Sequence, residues 1–309
     1  MSATTERIAG VLAPVVTPFK PDLSPDPERL VRHTRWLLSQ GVGLAVFGTT
    51  SEGNSLAVEE KIELLNRLLD AGIDPARMMP GTGSCALPDA VRLTAHATGL
   101  GCAGVLMLPP FYYKGVSDEG LFRSFADVIE RVGDTRLRIY LYNIPPVSQV
   151  PITLPLIERL LKVYPGVVVG AKDSSGDWDN TCAYLDNFAE QGFDVFPGSE
   201  TFLLQGLRRG AAGCISATAN VNPRAIARLF ATWQAPDADA QQLQLNQVRD
   251  IFARYPMIPA LKAAITHYGD DASWAAVRPP LLALTDEQRV LLVNELETAG
   301  FAIAGLRAA

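Results

Sequence analysis

Val167-Val168-Val169-Gly170-Ala171-Lys172-Asp173-Ser174-Ser175-Gly176 decides how the chain is read, because an apolar run breaks off in a lysine and then in a polar, glycine-closed turn. A short continuous apolar run is what a strand buried on both faces looks like, as in a parallel sheet covered by helices. Such a strand delivers Lys172 to the edge of a cavity. An ammonium withdrawn from water loses the solvation that favours its charge, and the free amine attacks a carbonyl carbon to form a Schiff base. On this stretch alone the commoner reading is a strand reaching solvent, with the lysine stem packed and its head hydrated. The ends of the other strands bear on the choice.

Outward from Lys172 the same unit repeats. Residues 9–19 read as a first strand ending at Val16-Thr17-Pro18-Phe19, and Pro27 opens an amphipathic helix that Gly41 stops. Further strands are expected at 44–47, within the strand-and-loop stretch 78–83, and at 104–108, 137–142, 193–196 and 213–216, with helical periodicity between most of them. Eight strand-then-helix units point to a (β/α)8 TIM barrel, in which catalytic groups stand on the loops after the strands. The rest is helical by periodicity, at 241–254, 258–268 and 287–299. This gives a barrel over 1–234 and a small C-terminal helical extension over 235–309, divided near Ala235-Pro236-Asp237-Ala238-Asp239-Ala240.

Composition narrows the function. With 309 residues, 48% hydrophobic and 19% charged, the chain can bury a barrel core. A formal charge of -6 and the lack of a Lys/Arg block argue against nucleic acid or an anionic membrane as partner. Met1 to Arg7 is polar, without a basic and then apolar leader, and no later apolar run would span a bilayer, so a cytoplasmic protein is expected. Cys85, Cys102, Cys182 and Cys214 show no CxxC spacing and read as free thiols. His33, His96 and His267 fall within expected helices, so no metal site is expected.

A barrel gathers its strand ends around one mouth, here bringing together Thr49, Thr50, Tyr112 or Tyr113, Tyr142, Lys172, Gly198, Ile215 and Ser216. Imine chemistry needs proton traffic, since the carbinolamine must lose water, and Tyr142 with Thr49 or Thr50 and Tyr112 would supply a hydroxyl relay. Each tyrosine singly also fits an amphipathic rim position, and Gly48-Thr49-Thr50 also fits an ordinary helix cap as well as a carboxylate cradle.

Five motifs in order carry a resemblance: Gly48-Thr49-Thr50-Ser51-Glu52-Gly53, Pro109-Pro110-Phe111-Tyr112-Tyr113, Tyr142-Asn143-Ile144-Pro145, Gly170-Ala171-Lys172-Asp173 and Gly198-Ser199-Glu200. Together the chain resembles the dihydrodipicolinate synthase and N-acetylneuraminate lyase family of class I aldolases. The resemblance implies that Lys172 forms the imine with pyruvate or another 2-oxo acid, and that Tyr142 moves protons and meets the carboxylate. It implies that Thr49 and Thr50 bind that carboxylate, and that Tyr112 is contributed by a neighbouring subunit of a homotetramer, a dimer of dimers. No cofactor is implied.

The chain departs from the pattern at two places. Synthases that condense pyruvate with aspartate semialdehyde carry an arginine where this chain has Val147, and Arg208 and Arg209 are the nearest replacement cations after strand seven. Neuraminate lyases carry an acidic pair where this chain has Glu200-Thr201, which leaves Glu200 as the candidate for a substrate hydroxyl. The mixture fits a lyase performing aldol cleavage, condensation or dehydration on a 2-keto-3-deoxy sugar acid-like substrate. The dipicolinate-forming synthase reaction is the alternative, and a non-catalytic 2-oxo acid binding protein on the same barrel is a weaker one.

Overall fold

A computed structural model describes residues 7–306; the polar stretch 1–6 lies outside the described residues. Regular pairing gives seven parallel strands: β1 (Gly10–Ala13), β2 (Gly43–Leu44), β3 (Val105–Met107), β4 (Ile139–Asn143), β5 (Val168–Asp173), β6 (Asp194–Pro197) and β7 (Gly213–Ile215). They run in the orders β2-β1-β7 and β3-β4-β5-β6. Two seams close them into one barrel. Ala212 N–H donates to Val195 O at 3.0 Å, tying β6 to β7. On the other side Met78 bridges Leu44 and Gly81 bridges Leu106.

The segment 78–81 is therefore the eighth stave, but it pairs only through single bridges where the sequence suggested a strand. Pro80 at its centre offers no N–H to a ladder. β2 is also shorter than the expected 44–47, because Phe47 has a left-handed φ of 65° that turns the chain out of the sheet. Gly81 and Gly53 make this turn possible: a Cβ would lie 2.6 Å and 2.0 Å, respectively, from the Phe47 carbonyl oxygen.

One buried apolar residue per stave fills the barrel interior: Leu12, Ala45, Met79, Leu106, Tyr140, Val169, Phe196 and Ile215, with Tyr142 above Tyr140. Around it lie α1 (Pro27–Ser39), α2 (Val58–Asp70), α3 (Leu87–Gly99), α4 (Asp118–Val132), the short α5 (Pro145–Ser148), α6 (Leu154–Val163), α7 (Trp178–Phe188), α8 (Leu203–Leu207) and α9 (Pro223–Ala231). Helix starts are chemically marked. Asp26, Ser117, Thr153 and Asp177 accept backbone N–H groups at the N-termini of α1, α4, α6 and α7. No helix of the described residues is long and apolar enough to cross a membrane.

The tail forms α10 (Ala238–Ala253), α11 (Met257–Gly269) and α12 (Asp286–Thr298). A buried ion pair fastens it to the barrel. Lys262 of α11 donates to Glu52 Oε1 in the turn after β2 and to Ala276 O at 2.7 Å, and Glu52 Oε2 accepts from Arg278 N–H at 2.9 Å. Burial pushes the Lys262 ammonium below its ordinary range, against the pull of the Glu52 carboxylate. Removing one member of such a pair strands the other charge, at a cost of about 3–5 kcal/mol. Lys262→Met should lower unfolding free energy by about that amount in urea titrations, and adding Glu52→Gln should recover part of it; a single variant within about 1 kcal/mol of the parent would show that the pair does not anchor the tail.

Candidate active site

Parallel pairing sets the centre of the site. The β4–β5 register places Tyr142 opposite Lys172, after a shift between Ile139 and Tyr140 that pairs Tyr140 with Gly170. Gly170 has no side chain because the Tyr140 ring occupies its space: a Cβ would sit 2.6 Å from that ring. Two residues further on, by the period of a strand, Lys172 stands on the same side. Both Lys172 and Tyr142 are buried.

The lysine Nζ lies 3.3 Å from the Tyr142 hydroxyl as donor and 4.4 Å from its ring centroid. Tyr142 in turn donates to Thr49 Oγ1 at 3.2 Å. Amine, phenol and threonine hydroxyl thus form one hydrogen-bonded chain from three staves of the barrel. Thr49 sits in a tight turn: Ser51, Glu52 and Gly53 N–H groups donate to Gly48 and Thr49 carbonyls, and Thr17 Oγ1 donates to Ser51 O at 2.7 Å. The Thr49 and Thr50 amides donate to no other group among the described residues.

The neighbouring carboxylate does not compete for the amine. Asp173 accepts from Asn143 Nδ2 at 2.9 Å, from Ser175 N–H at 3.1 Å and Oγ at 3.0 Å, and from Thr181 Oγ1 at 2.6 Å. Among the described residues Lys172 makes no ion pair.

Above these groups opens a cavity of about 250 Å³, walled by Thr49, Thr50, Tyr142, Ile144, Lys172, Ser174, Gly198, Ser199 and Phe202, and by Arg249 and Met257 from the tail. Gly198 is the close approach of the β6 end to the β5 end: a Cβ there would meet Ser174 Oγ at 2.0 Å and Asp173 O at 2.9 Å.

Several residues expected at the mouth stand elsewhere. Ile215 packs in the barrel interior and does not line the cavity. Ser216 and Glu200 are buried behind the wall, where Ser216 Oγ and Thr218 Oγ1 donate to the two Glu200 carboxylate oxygens. Glu200 therefore has no oxygen turned over to a substrate hydroxyl, because its side chain is held inward by these donors. Tyr112 and Tyr113 pack edge to face at 5.3 Å and both are 74% exposed, outside this chain's cavity. Val147 is 61% exposed on α5. Arg208 and Arg209 do not replace the missing arginine: Arg208 forks onto Asp239 at 2.9 and 2.7 Å, and Arg209 donates to Cys182 Sγ at 2.6 Å.

The cation that does reach the cavity is Arg249, on a helix the sequence suggested was mere packing. Its signal was present in the spacing. Ala238, Gln241, Leu245 and Phe252 mark the buried stripe of α10, and Arg249 falls on that stripe four residues after Leu245. Charges of both signs meet close by. Burial and the Glu200 carboxylate hold the Cys214 thiol well above its ordinary range, while Lys172 and Arg249 pull it down.

Residues 7–299 match the model of the dihydrodipicolinate synthetase family. An uncharacterized DapA-like lyase of Chloroflexus aurantiacus is 36% identical over 90% of this chain and 93% of its own length. Among solved structures, the dihydrodipicolinate synthase of Agrobacterium tumefaciens is 33% identical, with a TM-score of 0.87 over 94% of this chain and 99% of that one. A prophage protein of the same family from E. coli K12, solved in complex with pyruvate, is 25% identical, with a TM-score of 0.88 over 96% and 99% of the two chains. The chain belongs to the dihydrodipicolinate synthetase family and is, like its relatives, a lyase of the class I aldolase type on a (β/α)8 barrel.

Proposed function

We propose that this lyase forms an imine between Lys172 and a pyruvate-type 2-oxo acid, and cleaves, condenses or dehydrates a 2-keto-3-deoxy sugar acid-like substrate. The observation that carries the reading is the buried Lys172–Tyr142–Thr49 chain, with its links of 3.3 and 3.2 Å. The pyruvate complex of the E. coli K12 relative supports the choice of oxo acid. Lys172, Tyr142 and Thr49 are assigned the catalytic roles, and Thr49, Thr50 and Gly198 bound the place of the oxo acid. The unengaged Thr49 and Thr50 amides suit its carboxylate.

The chemistry follows from the order of the chain. The Lys172 amine adds to the C2 carbonyl, and Tyr142 passes a proton to the departing hydroxyl while taking one from nitrogen, so that water leaves and the imine remains. In cleavage the C4 hydroxyl gives its proton to the Tyr142–Thr49 chain, and the C3–C4 bonding pair moves into a C2–C3 enamine. The aldehyde departs, the proton returns to C3, and water frees pyruvate and the lysine. In dehydration C3 loses the proton and the C4 hydroxyl leaves as water.

A homotetramer in which Tyr112 of a neighbouring copy completes the relay belongs to the same proposal; the exposure of Tyr112 and Tyr113 in a single chain supports it. The synthase reaction is the second reading, favoured by the likeness to the Agrobacterium tumefaciens enzyme. Against it stands Val147, which offers no donor to a carboxylate.

Borohydride added with pyruvate should trap a mass adduct on the peptide holding Lys172, and Lys172→Ala should abolish turnover while remaining folded; full activity with an unmodified Lys172 would sink the imine mechanism. Tyr142→Phe keeps the ring and removes one hydroxyl, so kcat should fall about 10²-fold; wild-type turnover would make Tyr142 a packing residue. In side-by-side kcat/KM measurements, a hydroxylated 2-oxo acid should outperform condensation with aspartate semialdehyde, and the reverse order would favour the synthase reading.

A further inference from the structure

We infer that Arg249 is the specificity-determining residue of the cavity and that the part of the substrate remote from the 2-oxo acid ends in a carboxylate, making the substrate a hydroxylated 2-oxo diacid. This rests on the Lys172 imine reading. Arg249 enters the cavity wall from α10, in the cavity that Lys172, Tyr142 and Thr49 also line. Its side chain keeps 20% exposure while its Nη1 is shut off from water.

That Nη1 has no hydrogen-bond partner. The nearest acceptor, Glu200 Oε2, is 3.7 Å away, beyond hydrogen-bond reach. Glu200 is already held by the hydroxyls of Ser216 and Thr218, so it offsets the arginine's charge without satisfying its donors. Among the described residues the guanidinium donates no hydrogen bond at all, unlike Arg208 and Arg278, which are each bonded to carboxylates. Nη1, closed to water, faces Glu200, so a ligand in the cavity meets the exposed remainder of the guanidinium, whose donors no group among the described residues engages.

The helix beneath it is fixed. Gln242 of α10 donates to Glu200 O at 2.9 Å and accepts from Leu204 N–H at 3.0 Å, which locks the helix onto the loop after β6. Arg249 is therefore a placed group and not a loose surface arginine. Its planar fork matches a carboxylate in two parallel bonds. A phosphate has the same acceptors, but its second negative charge would lie beside Glu200, so the monoanionic carboxylate is the better match. The two ends of the substrate are then told apart: the oxo acid end lies at Thr49, Thr50 and Lys172, the free carboxylate at Arg249.

The test compares a 4-hydroxy-2-oxo diacid with its counterpart of equal length ending in a primary alcohol, following release of the aldehyde half. The wild-type enzyme should favour the diacid by at least about 10-fold in kcat/KM. Arg249→Met should cut kcat/KM on the diacid by about 50-fold, mainly through KM, while the monoacid changes far less; Arg249→Lys should restore part of the loss. Equal losses on both substrates, or a wild-type preference for the monoacid or for a terminal phosphate, would overturn the assignment. The wild-type preference is decisive even if Arg249→Met fails to fold. Borohydride trapping of pyruvate on wild-type Lys172 separates the two levels: no adduct removes the imine reading itself, whereas an adduct without diacid preference removes only the role of Arg249.

Discussion

The pairing of Tyr142 with Lys172 across β4 and β5 is the constraint on which the rest of the site depends. A slip of one residue in either strand would turn its side chain, Lys172 or Tyr142, to the opposite face of the barrel wall and part the two. The register is held from both ends. Below, the Tyr140 ring fills the space that Gly170 leaves, so another pairing would put a ring against a side chain. Above, the strand ends are joined by Asn143 Nδ2 to Asp173, by Ser174 N–H to Asn143 O at 2.7 Å and by Gly198 N–H to Asp173 O at 2.7 Å. The Lys172–Tyr142 geometry is thus a property of the sheet.

The carboxylates near Lys172 are engaged elsewhere. Asp173 adjoins Lys172 in sequence, and a direct ion pair there would engage the lysine Nζ in place of Tyr142. The structure gives that carboxylate four other donors instead. Glu200 is treated the same way by Ser216 and Thr218. Both acids are satisfied by neutral groups, which is the arrangement that buried carboxylates need and that leaves the lysine and tyrosine to one another.

How far the sequence revealed this depends on what each residue's placement is determined by. Lys172, Tyr142 and Thr49 close apolar runs, and the barrel topology gathers strand ends wherever they lie in the chain, so their meeting could be read before any coordinates. Ile215, Ser216 and Glu200 also lie at strand ends, but which way each points is set by strand parity and by the turn that follows. Sequence order alone does not carry that information. The stave at 78–81 was legible as a position but not as a ladder, since Pro80 removes the pairing that its apolar neighbours suggest. Arg249 escaped because a helical tail reads as cover, and only the appearance of an arginine on the buried stripe of α10 betrays it.

That last placement separates chemistry from selection. Lys172 and Tyr142 stand on strands whose register cannot vary without moving the lysine, whereas Arg249 and Met257 reach the same cavity from the tail. The tail is in turn fixed to the barrel by the buried Lys262–Glu52 pair and by Gln242 at the Glu200 loop. A change at Arg249 shares no hydrogen bond with the Lys172–Tyr142–Thr49 chain, so its effect on substrate choice should add to, rather than depend on, changes in that chain. On the proposed reading, the strands would keep one chemistry while Arg249 of α10 selects the aldehyde half.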